Sequence, residues 1–264
     1  MKRGFVDLPD GQVHYRTEGS GDPLLLLHLN QASSVKFREV IPFLSQNYRV
    51  IAPDYPGYGD SYMPPRLYNM TDYANSILQT MDALGIKKAS IVGDTTGADV
   101  AVEIAASQPK RVDKLFLNNP PYWKYDGNRL REFDHYPQIP LREDGGHLIG
   151  KWEGVAGSLE GVPISDIQRN VIMKLQAQLS PQHGEETHFA VFTYKSQTRL
   201  PLIKSPTLVL TTPSGSFHRR AKDVSDTIPN SKLVEIPDLP TNFIQLKPHV
   251  FAAVILDFLL DPDV

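Results

Sequence analysis

The side chains best suited to chemistry lie in Gly93-Asp94-Thr95-Thr96-Gly97, where a carboxylate and two hydroxyls stand between two glycines. A threonine hydroxyl can attack a carbonyl carbon, but its methyl group restricts χ1 and it needs a neighbouring base to take its proton. Asp94 is a candidate acid or base if it faces a pocket; its alternative role is to accept hydrogen bonds from the surrounding backbone. His147 is the other candidate for proton transfer, in Asp144-Gly145-Gly146-His147-Leu148, with Trp152 close behind as an apolar contact for a substrate. A structural role is the alternative for His147, and His135, His183, His188 and His218 rank below it. No HxxxH or histidine-carboxylate spacing suggests a metal, and the chain has no cysteine, which excludes thiolate nucleophiles and disulfides. No cofactor is expected.

The elements that must position these groups are read from apolar runs and breakers. The length of 264 residues suits one large α/β domain with or without an insertion. A net charge of -3 with no long basic block gives no reason to expect nucleic acid or an anionic membrane surface. The apolar runs are too short for a membrane span, and the Met1-Lys2-Arg3-Gly4-Phe5 start lacks the apolar stretch of a secretory signal. The expected partner is a small molecule in a cytoplasmic protein, with a homodimer left open.

Phe5 to Arg16 reads as a hairpin around Asp10-Gly11. Leu24 to Leu27, Val50 to Ala52, Ala89 to Val92, Lys114 to Leu117, Thr207 to Leu210 and Leu233 to Ile236 read as strands, the first as one buried on both faces. Between them, Val35 to Leu44 is a helix limited by Pro42. Thr71 caps a helix with Tyr73, Ile77, Leu78, Met81 and Leu84 on one face, stopping at Gly85. Ala98 to Ala105 marks another that must end before Pro109, and Val250 to Leu260 forms a terminal helix. Alternating strands and helices predict a mainly parallel sheet covered on both faces. From Pro120 to about Pro201 the alternation lapses, with one helix expected at Ile167 to Leu179; this stretch reads as a lid inserted between two sheet strands.

Leu24-Leu25-Leu26-Leu27-His28, Val50 to Ser61 with its Asp54-Tyr55-Pro56-Gly57-Tyr58-Gly59 turn, and Ile91 to Ala98 resemble successive signatures of the α/β-hydrolase superfamily. The likeness continues through Pro206 to Leu210 and Ile236-Pro237-Asp238 into the last helix. It implies an α/β-hydrolase fold with a core of residues 1–119 and 202–264 and a lid of residues 120–201. It also implies a nucleophile at the bend usually written G-x-S-x-G, a later acid, and a histidine before the terminal helix.

Each of those positions departs from the family pattern. Thr95 stands at the nucleophile position. Phe243 and Pro248 set the register that puts Asn242 where the histidine belongs, and a carboxamide cannot shuttle a proton near neutrality. Thr212-Pro213-Ser214-Gly215-Ser216 offers no carboxylate at the acid turn, and the alternative acid site carries Asn118 and Asn119. After His28 the usual glycine is Leu29, followed by Asn30 and Gln31. Backbone N–H groups of Leu29 or Asn30 and of Thr96, with the Asn30 side chain, remain as donors for a developing oxyanion, and Asn119 and Asn242 as polar contacts for a substrate. His28 reads as structural.

Three functions stay open. The first is a non-hydrolytic enzyme (lyase, decarboxylase, cyclase or isomerase) acting on a small apolar carbonyl compound through Asp94 or His147. The second is a hydrolase using Thr95 or activated water, and the third is a ligand-binding protein without catalysis.

Overall fold

The computed structural model describes residues 1–122, 142–157, 186–239 and 243–263, with some side chains in 147–157 and 186–187 left aside. Its centre is an eight-stranded sheet in the order β1-β2-β4-β3-β5-β6-β7-β8. Strands β1 (Lys2–Leu8) and β2 (Gly11–Glu18) form the expected hairpin, and β2 pairs antiparallel with β4 (Arg49–Pro53). From β4 onward, β3 (Pro23–Leu27), β5 (Ala89–Asp94), β6 (Val112–Asn118), β7 (Thr207–Thr211) and β8 (Ser231–Glu235) run parallel.

The period of two in the strands feeds two apolar layers. Leu25 and Leu27 pack with α2 (Met70–Ala83) and α3 (Thr96–Ser107), while Leu24 and Leu26 pack with α1 (Ile41–Leu44) and the terminal helix on the other face. Each buried leucine of this kind stabilises the fold by roughly 1.5–3 kcal/mol. Val35 to Leu44 is not one helix: a 3₁₀ turn at Ser34–Phe37 precedes α1, which starts only where Pro42 is tolerated in its first turn. That turn places Lys36 and Phe37 inside the protein.

The cap of α2 is Asn69, not Thr71. Asn69 Oδ1 accepts from the Asp72 amide at 3.1 Å, and Asp72 Oδ2 accepts from the Asn69 amide at 2.9 Å. A cap at Thr71 would put Ala74 at the third helical position, where no side chain could return the bond. Thr71 instead reaches Glu103 Oε1 at 3.4 Å.

Between β6 and β7 the described residues include α4 (Gly146–Gly157), α5 (Glu186–Thr193) and α6 (Ser196–Arg199). The helix expected at Ile167 to Leu179 lies outside the described residues. Both α5 and α6 pack on α3, where Arg199 Nε lies 2.8 Å from Glu103 Oε2. Helix α7 (His218–Thr227) was not expected, because only Ala221, Val224 and Ser225 of this charged segment are buried. After it come β8, the short α8 (Phe243–Leu246) and α9 (Pro248–Leu259). No helix among the described residues is long and apolar enough to cross a membrane.

Candidate active site

The bend between β5 and α3 has the shape its glycines require. A Cβ on Gly93 would stand 2.4 Å from the Gly97 carbonyl oxygen, and one on Gly97 would stand 2.1 Å from that of Leu27. Only bare backbone allows strand, bend and helix to approach so closely. Thr95 sits at the apex with φ 52 and ψ -109, a conformation that costs a β-branched residue on the order of 1–3 kcal/mol. Its amide donates to the Asn118 carbonyl at 2.9 Å and its own carbonyl accepts from Ala98 at 2.8 Å, which holds the strain in place.

Behind the apex lies a carboxylate rather than an imidazole. The Thr95 hydroxyl donates to Asp94 Oδ1 at 3.4 Å, and the same oxygen accepts from Asn118 Nδ2 at 2.7 Å. Asp94 is only 2% exposed. By strand alternation it shares the face of Val92, beneath α8 and α9. Lys36 Nζ, on a side chain 8% exposed, stands 3.2 Å from Asp94 Oδ2. Among the described residues Oδ2 accepts no hydrogen bond, so this contact is an ion pair by separation without hydrogen-bond alignment. No imidazole among the described residues bonds the Thr95 hydroxyl.

The loop after β3 forms the other wall. His28 donates from Nδ1 to the Leu29 carbonyl at 2.7 Å and accepts the Tyr55 amide at Nε2 at 3.2 Å. Burial lowers the pKa of this imidazole, so it stays neutral and structural, as expected. Gln31 follows with φ 54, completing the tight loop. Asn30 Nδ2 meets His188 Nε2 on α5 at 2.5 Å, an imidazole the sequence had ranked low. Opposite, Thr96 opens α3, where the first amides have no acceptor within the helix and carry the positive end of its dipole.

The remaining candidates fall elsewhere. The Asn119 side-chain oxygen accepts from the Phe217 amide at 3.0 Å, tying β6 to the 212–217 turn. In that turn Ser214 donates to the Leu239 carbonyl at 2.7 Å. Trp152 lies on α4 at 39% exposure. His147 is on the same helix, but its side chain and all of Asn242 lie outside the described residues. His14, Asp54 and Asp60 bring three ligand atoms within 4.8 Å of one another. Arg3 fills that space: its Nε donates to His14 Nε2 at 3.0 Å and its Nη2 pairs with Asp60. His14 Nδ1 already bonds Asp54 Oδ2 at 2.8 Å, so the group reads as a brace.

Residues 22–136 match the family model described as alpha/beta hydrolase fold. A hydrolase from Pseudomonas aeruginosa PA01 superposes with a TM-score of 0.82 over 97% of this chain and 98% of that one, at 22% identity. The chain has the α/β-hydrolase fold. A thermophilic esterase from Thermogutta terrifontis gives a TM-score of 0.81 at 23% identity, covering 98% of both chains. At such identities the likeness speaks to fold. Among curated relatives, haloalkane dehalogenase 2 of Mycobacterium tuberculosis (strain ATCC 25618 / H37Rv) is 31% identical over 137 residues, 52% of this chain and 48% of that protein. A soluble epoxide hydrolase of Corynebacterium sp. (strain C12) is 37% identical over 106 residues, 40% of this chain and 37% of that protein. This α/β-hydrolase-fold chain thus spans about half the length, or less, of the curated relatives it matches.

Proposed function

We propose that the chain is a cofactor-independent enzyme that polarises the carbonyl group of a small apolar compound at the β5-α3 bend and moves a proton with Asp94. The reaction class is lyase, decarboxylase, cyclase or isomerase rather than passage through an acyl-enzyme. The observation that carries this reading is the bond from the Thr95 hydroxyl to Asp94, a carboxylate whose other oxygen faces Lys36. Triad chemistry needs a neutral base that becomes a cation beside the nucleophile. Here the neighbour of the hydroxyl is an acceptor already balanced by a buried cation.

The Thr96 amide and the Leu29 or Asn30 amides are the donors for the developing oxyanion. Asp94 takes a proton from the carbon next to the carbonyl and returns it to the product. Residues 120–201 serve as the cap, with Trp152 and Asn242 as substrate contacts and His147 as a second proton-transfer group. The hydrolase reading, with Thr95 or an activated water as attacker, is favoured by the names of the curated relatives.

Exchange of the methyl protons of acetophenone in D₂O, followed by NMR, separates the two. Wild-type protein is expected to accelerate deuterium uptake, and Asp94→Asn to slow it by about 100-fold or more. Cleavage of p-nitrophenyl acetate without any exchange would overturn the proposal.

A further inference from the structure

One face of α3 carries two buried acids a turn apart, and they are treated differently. Glu103 is fully matched: Arg199 donates from Nε at 2.8 Å and from Nη2 at 3.0 Å, the Tyr194 hydroxyl at 3.0 Å and the Thr71 hydroxyl at 3.4 Å. Asp99 is equally enclosed, at 2% exposure, yet no donor among the described residues reaches its carboxyl group. A buried polar group without a partner weakens a fold, so it calls for a reason.

Its placement supplies one. Asp99 follows the Thr95 apex by four residues, and helical side chains lean back toward the N-terminus, here toward the bend. Helix α5 lies on α3 and is pinned on both sides of Asp99. His188 meets Asn30 of the oxyanion loop, and Tyr194, just past the end of α5, meets Glu103. Asp99 therefore stands on α3 between the bend and the Glu103 cluster, the two places to which α5 and the residue just past it are tied.

We propose that Asp99 is a substrate-binding residue, a buried carboxylic acid that donates a hydrogen bond to an uncharged acceptor oxygen, carbonyl or ether, of a ligand lying along the first turn of α3. This rests on the bend being the carbonyl site. Desolvation pushes the Asp99 carboxyl well above the usual carboxylate range, so it keeps its proton and can act as a donor. Asp94, facing Lys36, and Asp99, facing no cation among the described residues, are thus divided between acceptor and donor roles.

The test compares Asp99→Leu and Asp99→Asn, with the affinity of 4-methoxyacetophenone, whose ether oxygen is free for Asp99 when its carbonyl oxygen takes the amides at the bend, read by NMR titration and unfolding midpoints read alongside. The leucine variant is expected to keep or raise the midpoint and bind 4-methoxyacetophenone about 10-fold more weakly. The asparagine variant keeps a donor and should stay within about threefold of wild type. Equal affinity in the leucine variant overturns the proposal, as does a lowered midpoint, which would make Asp99 a packing group. Infrared spectra provide a ligand-free check: a protonated-carboxyl band at neutral pH that vanishes in Asp99→Asn supports the assignment, and its absence from wild type overturns it. Asp94→Asn should slow acetophenone proton exchange by about 100-fold or more, while the loss of 4-methoxyacetophenone affinity caused by Asp99→Leu persists in its background. Absence of exchange in wild type, with Asp99-dependent binding intact, would overturn the proton-transfer reading alone.

Discussion

Removing the Lys36 charge should strand the Asp94 carboxylate in the protein interior. At 3.2 Å separation, an effective dielectric of 20 puts the attraction at about 5 kcal/mol before desolvation is subtracted. Breaking one partner of such a pair typically costs 3–5 kcal/mol, because the survivor stays buried and unbalanced. Lys36→Met is therefore expected to lower stability by about 3 kcal/mol or more. Adding Asp94→Asn should recover most of that loss, since a carboxamide at 94 can still take the Asn118 bond. Urea unfolding of wild type, both single variants and the double variant gives the coupling energy, expected at about 2–4 kcal/mol. Because the pair is buried, the value should change little with added salt. Additive losses, with coupling below about 0.5 kcal/mol, would refute the pairing.

Thr95→Gly relieves the φ 52 apex and should stabilise the protein by roughly 1–3 kcal/mol, less the extra entropy of the unfolded glycine; a destabilised variant by urea unfolding would contradict the strain. Asn69→Ala removes one half of the α2 capping box and should cost about 1 kcal/mol, whereas Thr71→Val should cost less. Burial alone would raise the Asp54 carboxyl, but bonds from His14 and from the Ser34 amide outweigh it and hold the group below its ordinary value. An acid depressed in the fold stabilises above its unfolded pKa, and that contribution is lost as pH falls through the folded value. Stability measured against pH should thus decline below about pH 4, and the decline should be shallower in Asp54→Asn.

The sheet was legible because its central strands are continuous apolar runs, a pattern that only two-sided burial explains. The bend was legible as well, since Gly93 and Gly97 are demanded by backbone contacts that no other residue permits. Polar residues carried weaker signals. Lys36 in Ser33-Ser34-Val35-Lys36 reads as a surface lysine, and only the packing of the Ser34–Phe37 turn against β3, β4 and α8, which brings its ammonium to Asp94, turns it inward. Asp99 sits among the apolar positions of α3, where periodicity says nothing about an absent partner. His188 reaches Asn30 across 158 residues of sequence, a pairing that no local spacing encodes. Helix α7 escaped notice because its buried stripe is only Ala221, Val224 and Ser225.

Labelling by a fluorophosphonate probe, with p-nitrophenyl acetate turnover measured in parallel, bears most directly on what backs the hydroxyl at the bend. With Asp94 as its hydrogen-bonded neighbour and no imidazole among the described residues to carry the proton away, neither wild type nor Thr95→Ser should be labelled at position 95 or turn the ester over. Rapid labelling there, together with brisk ester cleavage in Thr95→Ser, would reveal a working base and contradict the account.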